Sequence, residues 1–416
     1  MSGGARKPRL RPDSLGVKLA LLAVLCGTMS LLGGCWDQRY LDKLGVVMAL
    51  GIDADPTGKQ EFLVTVQVVL PQNVAAESKG GLGGAPVTTF SEAGKTLFEA
   101  LRKMSSKTSR RLFFSHTQLV VIGESAARKG IYPLVDLIER NPDIRSDISI
   151  VCTRGIKAQQ LLQMTTQMEN IPVNQFREML DVNQSAYGTN YAVYVKDIIR
   201  IRGKGQKQAV LPSIRADGDK LTGRTVDNVS QIPPAEIPVL STMAVFREGK
   251  LVDYLKPKES RGLSWLHDKV KSTVINLACP QADGYLVVEV QEASTGYKIK
   301  SDEEGMPVVN AEIRLTGSVQ EIMCPDLDVM NEGVLNNIGE LAAKAVKDEA
   351  EAAIIRLQKK LRTDALGWGK EIYLKAPSIW KRIEDDWPDV FPRVNSTVTC
   401  NVKIAGSGTR GESILK

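Results

Sequence analysis

In the first half of the chain, apolar residues either alternate with polar ones or run unbroken over short stretches, the pattern of half-buried and buried strands. Residues 44–53 are apolar and strand-like, and residues 61–70 alternate well enough for a second strand. The turn signal Asp55-Pro56-Thr57-Gly58 lies between them and predicts a hairpin. A glycine-rich loop at 75–86 precedes an expected helix at 91–104, with Ala93, Leu97, Leu101 and Met104 on one face. Strands are expected at 118–122 and 147–152, and helices at 131–140, 158–168 and 173–183. This alternation reaches about residue 202. Three prolines in Ile232–Pro238 rule out a central strand there. Short strands at 209–215 and 239–246 flank that segment. The last third reads as a helix at 258–266, strands at 270–278, 285–292 and 308–319, a long helix at 327–362, and helices over 372–387 broken at Pro377. A final strand is expected at 394–404. In the long helix Val334, Ile338, Leu341, Ala345, Ala350, Ile354, Leu357 and Leu361 keep a three-to-four spacing, with Lys and Glu opposite.

The pattern predicts an α+β (mixed α/β) fold of three sheet-and-helix domains behind a cleaved leader. The expected divisions are a signal peptide at 1–34, a mixed domain at 35–205, a small middle module at 206–257 and a C-terminal domain at 258–416 that carries the long helix.

The leader changes the picture most. Arg6, Lys7, Arg9, Arg11 and Lys18 precede an apolar run of 14 residues from Leu19 to Leu32, and then come Gly33, Gly34 and Cys35. These are the parts of an export signal, and a spanning helix needs about 20 apolar residues. Leu32-Gly33-Gly34-Cys35 resembles the lipobox of bacterial lipoproteins, in which the cysteine thiol receives diacylglycerol and becomes the first residue. Each buried methylene contributes about 0.8 kcal/mol, and a second acyl chain turns marginal binding into stable anchoring. Cys35 is therefore the expected lipidation site.

Charge follows from that division. Of 54 basic and 48 acidic residues, the first 34 hold five and one, which leaves 49 against 47, or +2, for the rest. Such a balance calls for no nucleic acid. Beyond Cys26 and Cys35, four cysteines remain: Cys152, Cys279, Cys324 and Cys400. Export would permit oxidation and three pairings. Their scattering through apolar stretches predicts buried free thiols.

Candidate chemistry is sparse. Gly94-Lys95-Thr96 echoes a phosphate loop, but Thr89 stands where that motif needs glycine. Ser115 and His116 are neighbours along an extended chain and point apart, without a nucleophile elbow around them. His267 stands alone, and neither histidine has zinc-site spacing. Glu384-Asp385-Asp386 reads as a solvated turn. The basic run Arg200, Arg202, Lys204, Lys207 reads as a surface loop, with contact to anionic lipid as the sharper alternative. No enzyme activity, cofactor or metal is expected.

A set of ordered motifs carries more information. Gly34-Cys35-Trp36-Asp37-Gln38-Arg39 and Leu50-Gly51-Ile52-Asp53 come first, then Ser109-Arg110-Arg111-Leu112-Phe113-Phe114-Ser115-His116 and Val121-Ile122-Gly123-Glu124. They continue with Glu259-Ser260-Arg261-Gly262-Leu263-Ser264-Trp265-Leu266, Asp364-Ala365-Leu366-Gly367-Trp368-Gly369, Trp380-Lys381 and Trp387. Together these resemble the Ger(x)C lipoprotein subunits of spore germinant receptors across nearly the whole chain after Cys35. The resemblance implies a non-enzymatic subunit, lipid-anchored at the outer face of the inner spore (cytoplasmic) membrane. It also implies two integral membrane partners, the A-type and B-type subunits, and a role in nutrient-triggered germination. Trp265, Trp368, Trp380 and Trp387 are expected as core aromatics, with interface anchoring as the alternative. The rival to the whole reading is a solute-binding lipoprotein of a transporter, which would need two similar lobes around a cleft.

Overall fold

The computed structural model describes residues 14–31, 43–77, 84–204, 206–219, 222–280, 283–325 and 327–407. Cys35 lies outside the described residues. Near the N-terminus, Ser14–Leu31 forms a helix. Among the described residues, no helix is long and apolar enough to cross a membrane.

Residues 45–416 form one compact unit built on two sheets. The first contains β1 (Leu44–Ala54), β2 (Phe62–Val69), β3 (Val87–Gly94), β4 (Arg111–Phe113), β5 (Leu119–Ile122), β6 (Ser149–Thr153), β7 (Val210–Gly218), β8 (Glu236–Arg247) and β9 (Lys250–Tyr254). Its order is β3-β2-β1-β5-β6-β7-β8-β9, with β4 paired to β1. The centre is parallel from β1 through β5 and β6 to β7, and antiparallel pairs close both edges. Strand parity decides which residues face which layer. Leu50, Val120 and Ile150 turn toward a layer that holds Leu101, Met104, Leu134 and Ile138. Ala49, Leu119, Val121 and Val151 turn toward Leu161, Leu162, Phe176 and Leu180. Parallel strands buried on both faces read as near-continuous apolar runs, which is why 119–122 and 149–153 were legible.

The second sheet runs β10-β11-β12-β13, formed by β10 (Thr273–Ala278), β11 (Tyr285–Ser301), β12 (Pro307–Ile322) and β13 (Asn395–Ser407). The helix Glu332–Ile354 shares its core: Leu286, Val288, Ile313 and Leu315 are buried together with Ile338, Ala342, Val346 and Ala350. Asn331 caps that helix, its side chain accepting from the Gly333 and Val334 N–H groups, a contribution of about 1 kcal/mol. The expected stripe is right at Ile338, Ala350, Ile354 and Leu357. Val334, Leu341, Ala345 and Leu361 sit at its partly buried margin.

Four expectations change. Residues 87–94 form strand β3, where the start of a helix was expected, and the helix begins only at Leu97. β3 is an edge strand whose residues are mostly half-buried, so its alternation is weak. β11 runs on to Ser301, past the expected end at 292, because β12 folds back along its full length through the Ser301↔Pro307 pairing. The strands of the 206–257 segment, β7, β8 and β9, continue the first sheet. And Cys279 and Cys324, expected as free thiols, form a disulfide. The bond closes 45 residues of sequence, which stabilises by about 4 kcal/mol in the chain-entropy account. Cys152 and Cys400 are free.

Candidate functional site

Three of the sequence motifs resolve into buried carboxylates, each saturated by N–H donors. In the first, Asp53 at the end of β1 accepts from the backbone of Ala158 and Gln159, both at 2.9 Å. It thereby caps the helix Ala158–Leu162. Burial pushes its carboxyl up, and those two N–H groups pull against the rise. Gly123 is required beside it, since a Cβ there would stand 1.8 Å from Asp53 Oδ1.

The second joins the helix Pro257–Leu266 to the long helix. Arg261 donates through Nε to Glu349 Oε2 at 2.8 Å and through its terminal nitrogen to Oε1, and Trp265 Nε1 donates to Oε2 at 2.9 Å. The helices cross closely here. A Cβ on Gly262 would lie 1.9 Å from the Glu349 carbonyl oxygen, so only glycine fits.

The third is Asp364, which accepts from the backbone N–H of Gly367, Trp368 and Gly369 and from Trp387 Nε1, all at 2.8–3.0 Å. Burial pushes this carboxyl up too, against the pull of its four donors. Trp368, Trp380, Trp387 and Phe391 pack edge to face around it. All four motif tryptophans are buried, at 0–5 % exposure, so their role as core aromatics stands.

Between the second and third hubs, where the two sheets meet, lies a cleft of about 940 Å³. Tyr191 and Lys207 reach it from the first sheet's side, and His267, Tyr297 and Leu366 from the second's. The Tyr191 hydroxyl is 2.6 Å from His267 Nδ1, and Lys207 Nζ lies 3.1 Å from Nε2. Tyr297 donates to the Leu266 carbonyl at 2.6 Å. Burial holds His267 well below its ordinary 6.5, and the Lys207 charge adds to that. Burial likewise brings Lys207 down to about 8, with Asp364 pulling the other way. The phenols of Tyr191 and Tyr297 are pushed up, chiefly by burial. At neutral pH the imidazole is therefore neutral and the phenols keep their protons. The assembly is a seam that ties the two sheets together through fixed hydrogen bonds.

On the acid side the seam titrates through His267. His267 binds its proton more weakly folded than unfolded, so unfolding is favoured as pH falls below about 6.5. Stability should drop by up to about 1.4 kcal/mol per pH unit on acidification. The chain has only two histidines. In denaturant titrations across this window, His267→Gln should show a flatter dependence than the parent. Equal slopes would show that His267 is not held neutral.

The other sequence candidates scatter. The Ser115 hydroxyl donates to the Asp143 carbonyl, and His116 packs against the Phe113 ring 5.6 Å away. In the basic run, Arg200 pairs with Asp197 and Arg202 with Glu139, each at 3.7 Å, while Lys207 turns into the cleft. Glu384, Asp385 and Asp386 are exposed. Among the described residues no group of three or more His, Cys, Asp or Glu could hold a metal ion. Tyr191 and Glu349 were not foreseen. Each is a single polar or aromatic residue inside a helical or loop pattern, and nothing local marks its partner.

Comparison with known proteins gives a consistent result. The family described as spore germination protein N-terminal domain matches residues 37–216. The family described as spore germination B3/GerAC like, C-terminal, matches residues 241–408. Spore germination protein KC of Bacillus subtilis (strain 168) is 30% identical over 404 residues, covering 96% of this chain and 98% of that protein. Spore germination protein GerQC of Bacillus cereus is 23% identical, covering 90% of this chain and 95% of that protein. The crystal structure of the GerBC protein superposes with a TM-score of 0.54 at 16% identity, covering 86% of this chain and 98% of that one.

Proposed function

Because the chain belongs to the spore germination GerAC family, we propose that it is the lipid-anchored C-type subunit of a nutrient germinant receptor. In this reading Cys35 carries the diacylglycerol and the folded unit stands at the outer face of the inner spore membrane. There it works beside an A-type and a B-type integral membrane subunit. The observation that carries the reading is the match along most of the chain, in which both family domains occur in order, at residues 37–216 and 241–408. The tether has a physical rationale. It confines the folded unit to the plane of its partners and raises their effective concentration without new contacts.

The rival solute-binding lipoprotein calls for two similar lobes. The nine-stranded mixed sheet and the four-stranded sheet differ in strand number, order and direction, which argues for the receptor reading.

Deleting the gene should abolish the response to one class of nutrient, read as loss of optical density, while a trigger that bypasses receptors still germinates the spores. Returning Cys35→Ala in place of the parent should give weak germination and no palmitate label. Normal nutrient germination in the deletion strain, with no second copy of the receptor present, would refute the assignment. So would equal failure with the bypass trigger, which places the defect downstream of sensing.

A further inference from the structure

In the motif at residues 109–116, Leu112 and Phe114 pack on the core, but the two arginines are not absorbed by packing. Arg110, just before β4, and Arg111, its first residue, line a surface cavity of about 300 Å³ together with Arg102, Phe98, Phe114 and Asp143. Arg102 rests over the Phe98 ring, 4.8 Å from its centroid, and Phe98 is 46 % exposed. Among the described residues the guanidinium groups of Arg110 and Arg111 make no ion pair. Three arginines thus line a cavity that holds one acidic residue, Asp143, among aromatic, aliphatic and neutral polar walls. Guanidinium is the side chain whose planar fork matches a phosphate. A second hollow of about 670 Å³ shares Phe98, Arg102 and Asp143 and adds apolar walls from Phe62, Leu97 and Leu137.

Chain length says which phosphate is near. A Cβ on Gly45 would lie 3.7 Å from Arg110 Cβ, and Gly45 is ten residues after Cys35. Ten residues span at most about 36 Å fully extended. If Cys35 carries lipid, the mouth of this cavity is held within that reach of a bilayer surface. We propose that this cavity receives the phosphate headgroup of an anionic membrane phospholipid, with Arg102, Arg110 and Arg111 as its ligands. The choice of a membrane phosphate rests on the tether reading; the anion preference rests on the cavity alone. Headgroup binding would fix the orientation of the first sheet on the membrane, which a flexible lipid tether by itself leaves free.

The test uses residues 36–416, which keep the whole compact unit and lack both Cys35 and the basic, apolar segment before it, so that neither attached lipid nor that segment contributes. Its sedimentation is compared with vesicles of phosphatidylcholine alone and of phosphatidylcholine mixed with phosphatidylglycerol. The parent background should prefer the anionic vesicles, and added salt should weaken the preference. Arg102→Gln, Arg110→Gln and Arg111→Gln together should cut it at least tenfold, since each basic group near an anionic surface contributes about fivefold in partition. Arg111→Gln alone changes an exposed residue, leaves the fold intact, and should cost about fivefold. Undiminished preference in these variants overturns the proposal. So does a melting shift with inorganic phosphate that the triple variant abolishes while its vesicle binding is unchanged, which would mark a free anion as the ligand. Palmitate labelling of Cys35 is read separately. Normal labelling with no vesicle preference sinks this inference only, and preference without labelling sinks the tether only.

Discussion

Glu349→Ala should destabilise the protein by about 3–5 kcal/mol, the range for removing one member of a buried ion pair. Most exposed pairs are worth about 0–1 kcal/mol. The Arg128–Glu124 pair, with side chains 51% and 29% exposed, is of that kind. The Arg261–Glu349 pair is not, because its side chains are only 17% and 11% exposed. Removing the carboxylate leaves the Arg261 guanidinium in a low-dielectric site with the Val274 carbonyl, at 3.2 Å, and the Tyr187 ring face, 5.6 Å from its centroid, but no countercharge. It also orphans the Trp265 indole N–H. Glu349→Gln keeps an acceptor for one of these donors and should lose less. Equilibrium denaturation of the three proteins checks the order parent, Gln, Ala. If the alanine variant matches the parent, the pair is solvated and the seam is not a structural lock.

Asp364→Ala should be of comparable size, for a different reason. Here the main loss is one acceptor shared by four N–H donors, and with it goes the carboxylate that favours the charged form of Lys207. Each buried donor left without a partner costs about 1–3 kcal/mol, and the turn 364–369 can turn few of them to solvent. A loss of about 4 kcal/mol or more is expected. Near-ultraviolet circular dichroism should change with it, since Trp387 is held by the Asp364 carboxylate and meets Trp380 edge to face. Asp364→Asn offers one carbonyl oxygen and should fall between. An alanine variant with parental stability and an unchanged aromatic spectrum would mean that water replaces the carboxylate.

Both predictions concern motifs that were visible in the chain before their reasons were. Residues 259–266 and 364–369 could be recognised as a family's signature, yet the signature did not say that Gly262 permits a helix crossing or that Asp364 gathers four donors. The motif at 109–116, whose Arg110 and Arg111 make no ion pair among the described residues, is where a binding role is proposed.

The sequence by itself determined the hairpin of β1 and β2, the buried strands β5 and β6, the face of the long helix at Ile338 and Leu357, and the family. Each depends on a period of two or 3.6, or on a short ordered string, and both are local properties of the chain. Tertiary structure alone decided that 87–94 is a strand, since an edge strand takes its conformation from the neighbour it pairs with. It alone joined Cys279 to Cys324, which stand close because β10, β11 and β12 bring the ends of a 45-residue segment together. It also chose the partners of Glu349, Asp364, Lys207 and His267, residues 60 to 99 positions from the groups they meet except within the Asp364 turn and at Trp387. A side chain's polarity is written in the sequence. The group that satisfies it is fixed only when the chain has folded, because burial makes an unpaired polar group costly and so favours the arrangement that pairs groups such as Glu349 and Asp364.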